Sequence, residues 1–245
     1  TYAFRNLINA LVLLRMTGGV AEDEAKKDIN GLFLPALTEI TDYHMGTLCR
    51  QTTITVTALV GGLAFNNAPL TAFAVDSPYG YYSLRTWGFT ADGISHGHGY
   101  SQLGHTQNQT EMAHMLYRLG IDTFDHKLKR LIDGTFWWSL PMTPARMGTI
   151  FSISARHYPD PVYRAYASRS LINGEAPGLM GEKLTMPFTE SVNYPNSGLT
   201  ILRRPSDEGP LEAEFKWSMP DNRGSFSVLS FGLYCNGYHA QSYPG

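Results

Sequence analysis

The chain has 245 residues, 43% of them hydrophobic and 16% charged, with a formal net charge of −2. This is an ordinary globular composition, with enough apolar material for the core of one large domain or two small ones. The near-neutral balance gives no electrostatic case for nucleic acid or an anionic membrane, and no apolar run approaches the roughly 20 residues of a membrane helix.

In chain order, the opening TYAFRNLINA reads as mid-helix and has no signal-peptide pattern, while the closing CNGYHAQSYPG reads as mid-sheet. A fragment of a longer chain is expected. Phe4, Leu7, Ile8, Leu11, Val12 and Leu14 recur at helical spacing over residues 2–16, and Gly18-Gly19 stop that helix. A second helix spans 22–43, made irregular by Gly31 and Pro35. A third runs over about 47–65 and ends at Asn66-Asn67-Ala68-Pro69, and Pro69 starts a fourth. Further helices are predicted over 107–119, 124–134, 147–155 and 163–171, with Trp137-Trp138-Ser139-Leu140-Pro141 breaking the series. Paired helices with short turns are the pattern of a helical toroid.

The texture changes near residue 185. Prolines recur, and alternating runs at 199–202, 211–217 and 226–234 read as strands, with turns at Pro205-Ser206-Asp207 and Pro220-Asp221-Asn222. The expected class is therefore α+β, with a helical domain over 1–175 and a β domain over 186–245, the boundary falling near 172–186. Cys49 and Cys235 are expected in a helix and a strand, as buried thiols.

The stretch TADGISHGHGYSQLGHTQN, residues 90–108, holds His96, His98 and His105 with Tyr100 among four glycines. Histidine titrates near neutrality, so such a cluster suits proton transfer or metal binding. Glycine-flanked polar residues are poor core material, which favours a site in this loop. Tyr100 is a candidate proton donor, with packing under the loop as its structural alternative. His105 is expected to begin a helix, where the dipole lowers its pKa and favours neutral imidazole. The same residues admit a metal reading through His96-x-His98 and Glu111-x-x-His114. No HExxH, cysteine pair or aspartate cluster completes a shell, and His114 reads as core, so no metal is expected.

Arg156 ends the run MGTIFSISAR, where a guanidinium could meet a carboxylate, or simply close a helix at the surface. Gln51, in CRQTT, is an amide for a substrate carboxyl or a cap for the third helix. Trp137 and Trp138 offer faces for sugar rings, with core packing the default. There is no phosphate loop, dinucleotide fingerprint or nucleophile elbow.

At these residues the chain resembles a superfamily. DGISHGHGYSQLGH resembles the DG-x4-H-x-G segment of chondroitin AC/ABC and hyaluronate lyases, placing His98 on the catalytic histidine. SISAR resembles the segment that carries those enzymes' catalytic arginine, placing Arg156 there. NYPNSGLTILRR is similar to the opening of the β-sandwich domain of heparinase II/III-type lyases, whose toroid motif would select Tyr100 as the catalytic tyrosine. The resemblance is sharp at 90–108, 147–156 and 193–204. In the chondroitin-lyase pattern the tyrosine position aligns with His105, Gln51 is the nearest amide to the family's asparagine, and WSMPDNRGSF lacks the β-domain histidine, for which His239 is a distant candidate.

The resemblance implies an incomplete (α/α) toroid followed by an antiparallel β-sandwich, in a secreted or periplasmic protein. It implies β-elimination on a uronate of an anionic polysaccharide. His98 or His105 would remove the C5 proton, Tyr100 or the remaining histidine would protonate O4, and Gln51 and Arg156 would stabilise the enolate-like intermediate. His96, Trp137 and Trp138 would line the substrate, and no cofactor is required. A glycoside hydrolase using Asp92 and Glu111, or a non-catalytic carbohydrate-binding member, are the alternatives.

Overall fold

The structure is a computed structural model. It describes residues 2–42, 48–96, 100–135, 144–170, 191–204, 211–217, 230–235 and 238–239. Helices occupy the first part and an antiparallel sheet the last, as the composition shift predicts. The chain divides into two compact units, Thr1–Gly88 and Phe89–Gly245. The expected boundary near 172–186 lies outside the described residues.

In the first unit, α1 (Tyr2–Met16) follows its apolar spacing and ends in the turn with Gly18. The predicted irregular second helix is α2 (Glu22–Asp28), a π-helical turn (Ile29–Phe33) and α3 (Leu34–Asp42) in sequence. The wider turn falls between Asp28 and Pro35, where glycine and proline weaken the regular ladder. Helix α4 (Leu48–Ala64) packs against α1 and α3 and against α5 (Ala68–Asp76). Asn67 caps α5 by accepting from the Leu70 amide at 3.0 Å, with Pro69 inside the first turn. A short helix between two glycines, α6 (Tyr81–Trp87), completes the unit; its seven residues are too few to show a period in sequence. The core is a cluster of Ile8, Leu11, Ile29, Phe33, Leu37 and Leu70, with Phe4, Phe33 and Phe65 in ring contact.

The second unit contains α7 (Tyr100–Arg118), α8 (His126–Thr135), α9 (Pro144–Ser154) and α10 (Pro161–Ser170). Helix α7 packs on α8 and α9, and α9 pairs with α10. Its sheet runs in sequence order through β1 (Val192–Tyr194), β2 (Leu199–Arg204), β3 (Leu211–Lys216), β4 (Ser230–Cys235) and β5 (Tyr238–His239), all antiparallel. Cys49 and Cys235 fall in α4 and β4, as expected. The predicted turns at 205–207 and 220–222 lie outside the described residues.

The sheet register separates two faces. Leu199 and Ile201 point inward and are buried with Ile94 from the loop before α7. On the other face Leu202, Leu211, Phe215, Phe231 and Leu233 are exposed, and the pairings Phe215↔Phe231 and Ala213↔Leu233 line them up. No helix among the described residues is long and apolar enough to cross a membrane.

Candidate functional site

Residues 89–96, which lead into the histidine motif, form a closed, anchored turn. Phe89 bridges Ser95, the Thr90 amide donates to the Ile94 carbonyl at 2.8 Å, and the Gly93 amide donates to the Thr90 carbonyl at 3.0 Å. Gly93 has φ +84, and a Cβ there would lie 2.3 Å from the Arg130 carbonyl oxygen of α8. Only glycine tolerates both the left-handed backbone and that approach. On the other side, Asp92 accepts from the Asn196 side chain at 2.9 Å, the Ser197 amide at 3.0 Å and the Ser197 hydroxyl at 3.1 Å. The Asp92-Gly93 pair therefore ties the loop to the sheet segment and to α8 at once.

Helix α7 holds the loop from the other end. It starts at Tyr100, earlier than the 107 expected from sequence, and includes Gly104. The reason is tertiary. The buried Gln102 side chain accepts from the Ser95 amide and donates to the Gly93 carbonyl at 3.0 Å, so the first two turns are fixed by partners in the loop. Neither apolar period nor capping chemistry signals such a start. Gln102 and Ser95 were not singled out from sequence for the same reason.

His105 lies in the second turn of α7 and does not begin it. It is fully buried, its Nδ1 is 2.6 Å from the Ser95 hydroxyl, and Phe89 meets its ring edge-on. Burial lowers its pKa from 6.5 to about 3, so the imidazole is neutral, through desolvation and not through the helix dipole. Its Nε2 is buried without a hydrogen-bond partner among the described residues. One turn on, Gln109 is fully buried, and neither polar atom of its amide has a hydrogen-bond partner among the described residues. As placed, His105 orients Ser95 and the loop that leads to His98.

The other candidates are distributed as follows. His96 is exposed at the end of the anchored turn, and His98 lies outside the described residues, as do Trp137 and Trp138. Of Tyr100 only the backbone is described, as the first residue of α7. Arg156 is exposed just past the end of α9, the surface position its sequence alternative allowed. Gln51 is fully buried within the first two turns of α4, in the other compact unit, and so does not cap that helix from outside.

Arg156 borders an aromatic group that sequence reading did not resolve. His157 stacks on Phe124 with ring centroids 3.5 Å apart, and Tyr117 and His114 meet it edge-on. His114 is half-buried in this group, not sealed in the apolar core expected for it. Burial first, then Arg156 and Arg118, lowers its pKa. Among the described residues no group of three or more His, Cys, Asp or Glu side chains is placed to hold a metal ion.

No protein-family model matches the chain, and no curated protein matches it.

Proposed function

We propose that the chain is a polysaccharide lyase that cleaves uronate-containing chains by β-elimination, with His98 as the base. The observation that carries this reading is the anchored turn at residues 89–96. Hydrogen bonds from three directions fix the turn at which the lyase-like DG-x4-H motif begins, and a fixed approach to the motif is what a positioned base requires. His105, neutral and buried, then serves as a positioning residue, and the role of base falls to His98.

In this reaction His98 removes the C5 proton of the uronate. The C4–O4 bond breaks, its electrons leave with O4, and the C5–H electrons form the C4=C5 double bond. Tyr100 protonates the departing oxygen. Arg156 offsets the charge that develops on the carboxylate side. The implied fold is an incomplete (α/α) toroid with a β-sandwich, and the exposed apolar face of Leu202, Phe215, Phe231 and Leu233 is the kind of surface a second sheet covers. The substrate is an anionic polysaccharide, and the location is secreted or periplasmic. The hydrolase alternative is weakened because both oxygens of Asp92 are already engaged.

The test is ultraviolet absorbance during incubation with chondroitin and dermatan sulfates, hyaluronate, heparan sulfate, alginate and ulvan. Unsaturated uronate ends absorb and hydrolysis products do not. Rising absorbance that His98→Ala abolishes supports the lyase. New reducing ends without absorbance sink it in favour of a hydrolase.

A further inference from the structure

A pocket of about 380 Å³ opens beside the anchored turn, lined by Asp92 and Ala91 of the loop, Arg130 and Asp133 of α8, Tyr194 of β1 and Asn196. Its size falls within the roughly 300–1,000 Å³ of small-molecule sites, with room for a sugar ring. None of its residues was singled out as substrate-binding from sequence.

The lining sorts into engaged acids and unengaged donors. Asp92 already accepts from Asn196 and from the Ser197 amide and hydroxyl. Asp133 takes the Lys129 ammonium at 3.0 Å and the Tyr163 hydroxyl. Asp160 shares that ammonium at 3.2 Å and the donors on Asp92 are neutral, so both carboxylates keep negative charge, with lone pairs left for hydroxyl groups. Arg130 is different. Among the described residues its guanidinium makes one hydrogen bond, a 3.3 Å contact from Nη1 to the Ala91 carbonyl, and pairs with no carboxylate. Most of the five-donor guanidinium fork is left for a ligand.

Tyr194 adds a second donor on a rigid mount. Its ring packs against the buried Ile94, Leu199 and Ile201, and its hydroxyl makes no hydrogen bond among the described residues. Burial raises the phenol's pKa more than nearby Arg203 lowers it, so the hydroxyl keeps its proton. Two free donors, one a planar cation, flanked by acceptors suited to hydroxyls, match a sugar that carries one oxyanion.

We propose that this pocket is a subsite for an anionic sugar residue, whose carboxylate or sulfate oxygens are held by the Arg130 guanidinium and the Tyr194 hydroxyl. The identity of the polymer rests on the lyase reading above; the binding chemistry does not. Because Arg130 also contacts the Asp92 loop through Ala91, the subsite would hold a sugar against the anchored turn at 89–96.

The test is calorimetric titration of the whole chain carrying His98→Ala, so that nothing is turned over. Three disaccharides are compared: an unsulfated uronate, a sulfated one with its carboxyl reduced, and an uncharged one. Arg130→Ala is expected to weaken at least one charged disaccharide about tenfold, and Tyr194→Phe about threefold, with the uncharged sugar unaffected by either. The charged sugar that responds identifies carboxylate or sulfate as the ligand. Should Arg130→Ala prove unstable, Tyr194→Phe, which removes one oxygen, decides alone. Wild-type affinity in both variants, or charged sugars bound no better than the uncharged one, overturns the subsite. Arg130-dependent binding by a protein that never raises ultraviolet absorbance overturns the lyase reading and leaves the subsite standing.

Discussion

Helices α4 and α7 both bury a row of polar side chains, and they draw on partly different partners. In α4, Gln51, Thr52, Thr53, Thr55 and Thr57 are all buried. The Thr57 hydroxyl donates to the Thr53 carbonyl at 2.7 Å, and the Thr55 hydroxyl lies 2.9 Å from the Gln51 carbonyl and 2.7 Å from that of Tyr79, so backbone carbonyls, most of them in the same helix, take these hydroxyls. In α7 the buried Gln102 and His105 reach out of the helix to Ser95 and Gly93, while the Gln109 amide and the His105 Nε2 have no hydrogen-bond partner among the described residues. A buried threonine row can be architecture alone. A buried row whose partners lie in a glycine loop holds that loop in place, and its unpaired members mark where the interior is polar without internal need.

The largest effect should come from the loop itself. Gly93→Ala forces a left-handed alanine against the Arg130 carbonyl and should cost about 3 kcal/mol in urea denaturation. A loss under 1 kcal/mol, about a third of that, would mean that the turn is not pinned to α8. Next comes Gln102→Leu, which strands the Ser95 amide and the Gly93 carbonyl. We expect a loss of about 2 kcal/mol and faster hydrogen exchange at Ser95. Unchanged exchange there would break the contrast between the two helices.

His105 sharpens the contrast through pH. Its pKa falls from 6.5 unfolded to about 3 folded, so in that window the unfolded chain binds a proton that the folded chain refuses. Its contribution is full above pH 6.5 and is lost as pH falls toward 3, at up to about 1.4 kcal/mol per pH unit. His114 and His157, also lowered by burial, add the same sign. Urea melts between about pH 5 and 6.5 should show a shallower slope for His105→Asn than for wild type, whereas equal slopes would show the ring is not held neutral by burial. The smallest effect belongs to α4. Thr57→Val removes a hydroxyl whose acceptor keeps its helix bond, and should cost less than about 1 kcal/mol by the same melts. A larger loss would mean that α4 too depends on its polar row.

Much of the helical part was legible in the sequence because its signals are local. The apolar spacing of Phe4 to Leu14, the stop at Gly18-Gly19, the irregularity around Gly31 and the Asn67-Ala68-Pro69 start each act within a turn or two, and α1, the π-helical turn and α5 follow them. The strands Leu199–Arg204 and Leu211–Lys216 likewise follow their alternation. What only the tertiary structure decided lies around residues 89–109. The early start of α7, the burial of His105 and the three-way engagement of Asp92 depend on Ser197, Arg130 and Ser95 arriving from elsewhere in the chain. A glycine-rich polar stretch has no period by which to announce a helix, and nothing in DGISHGHGYSQLGH tells whether an imidazole faces water or core. The residue types of the candidate site were readable from sequence, because chemistry is carried by side chains. Which of them is anchor and which is exposed was set by long-range contacts, because burial belongs to the fold and not to the residue.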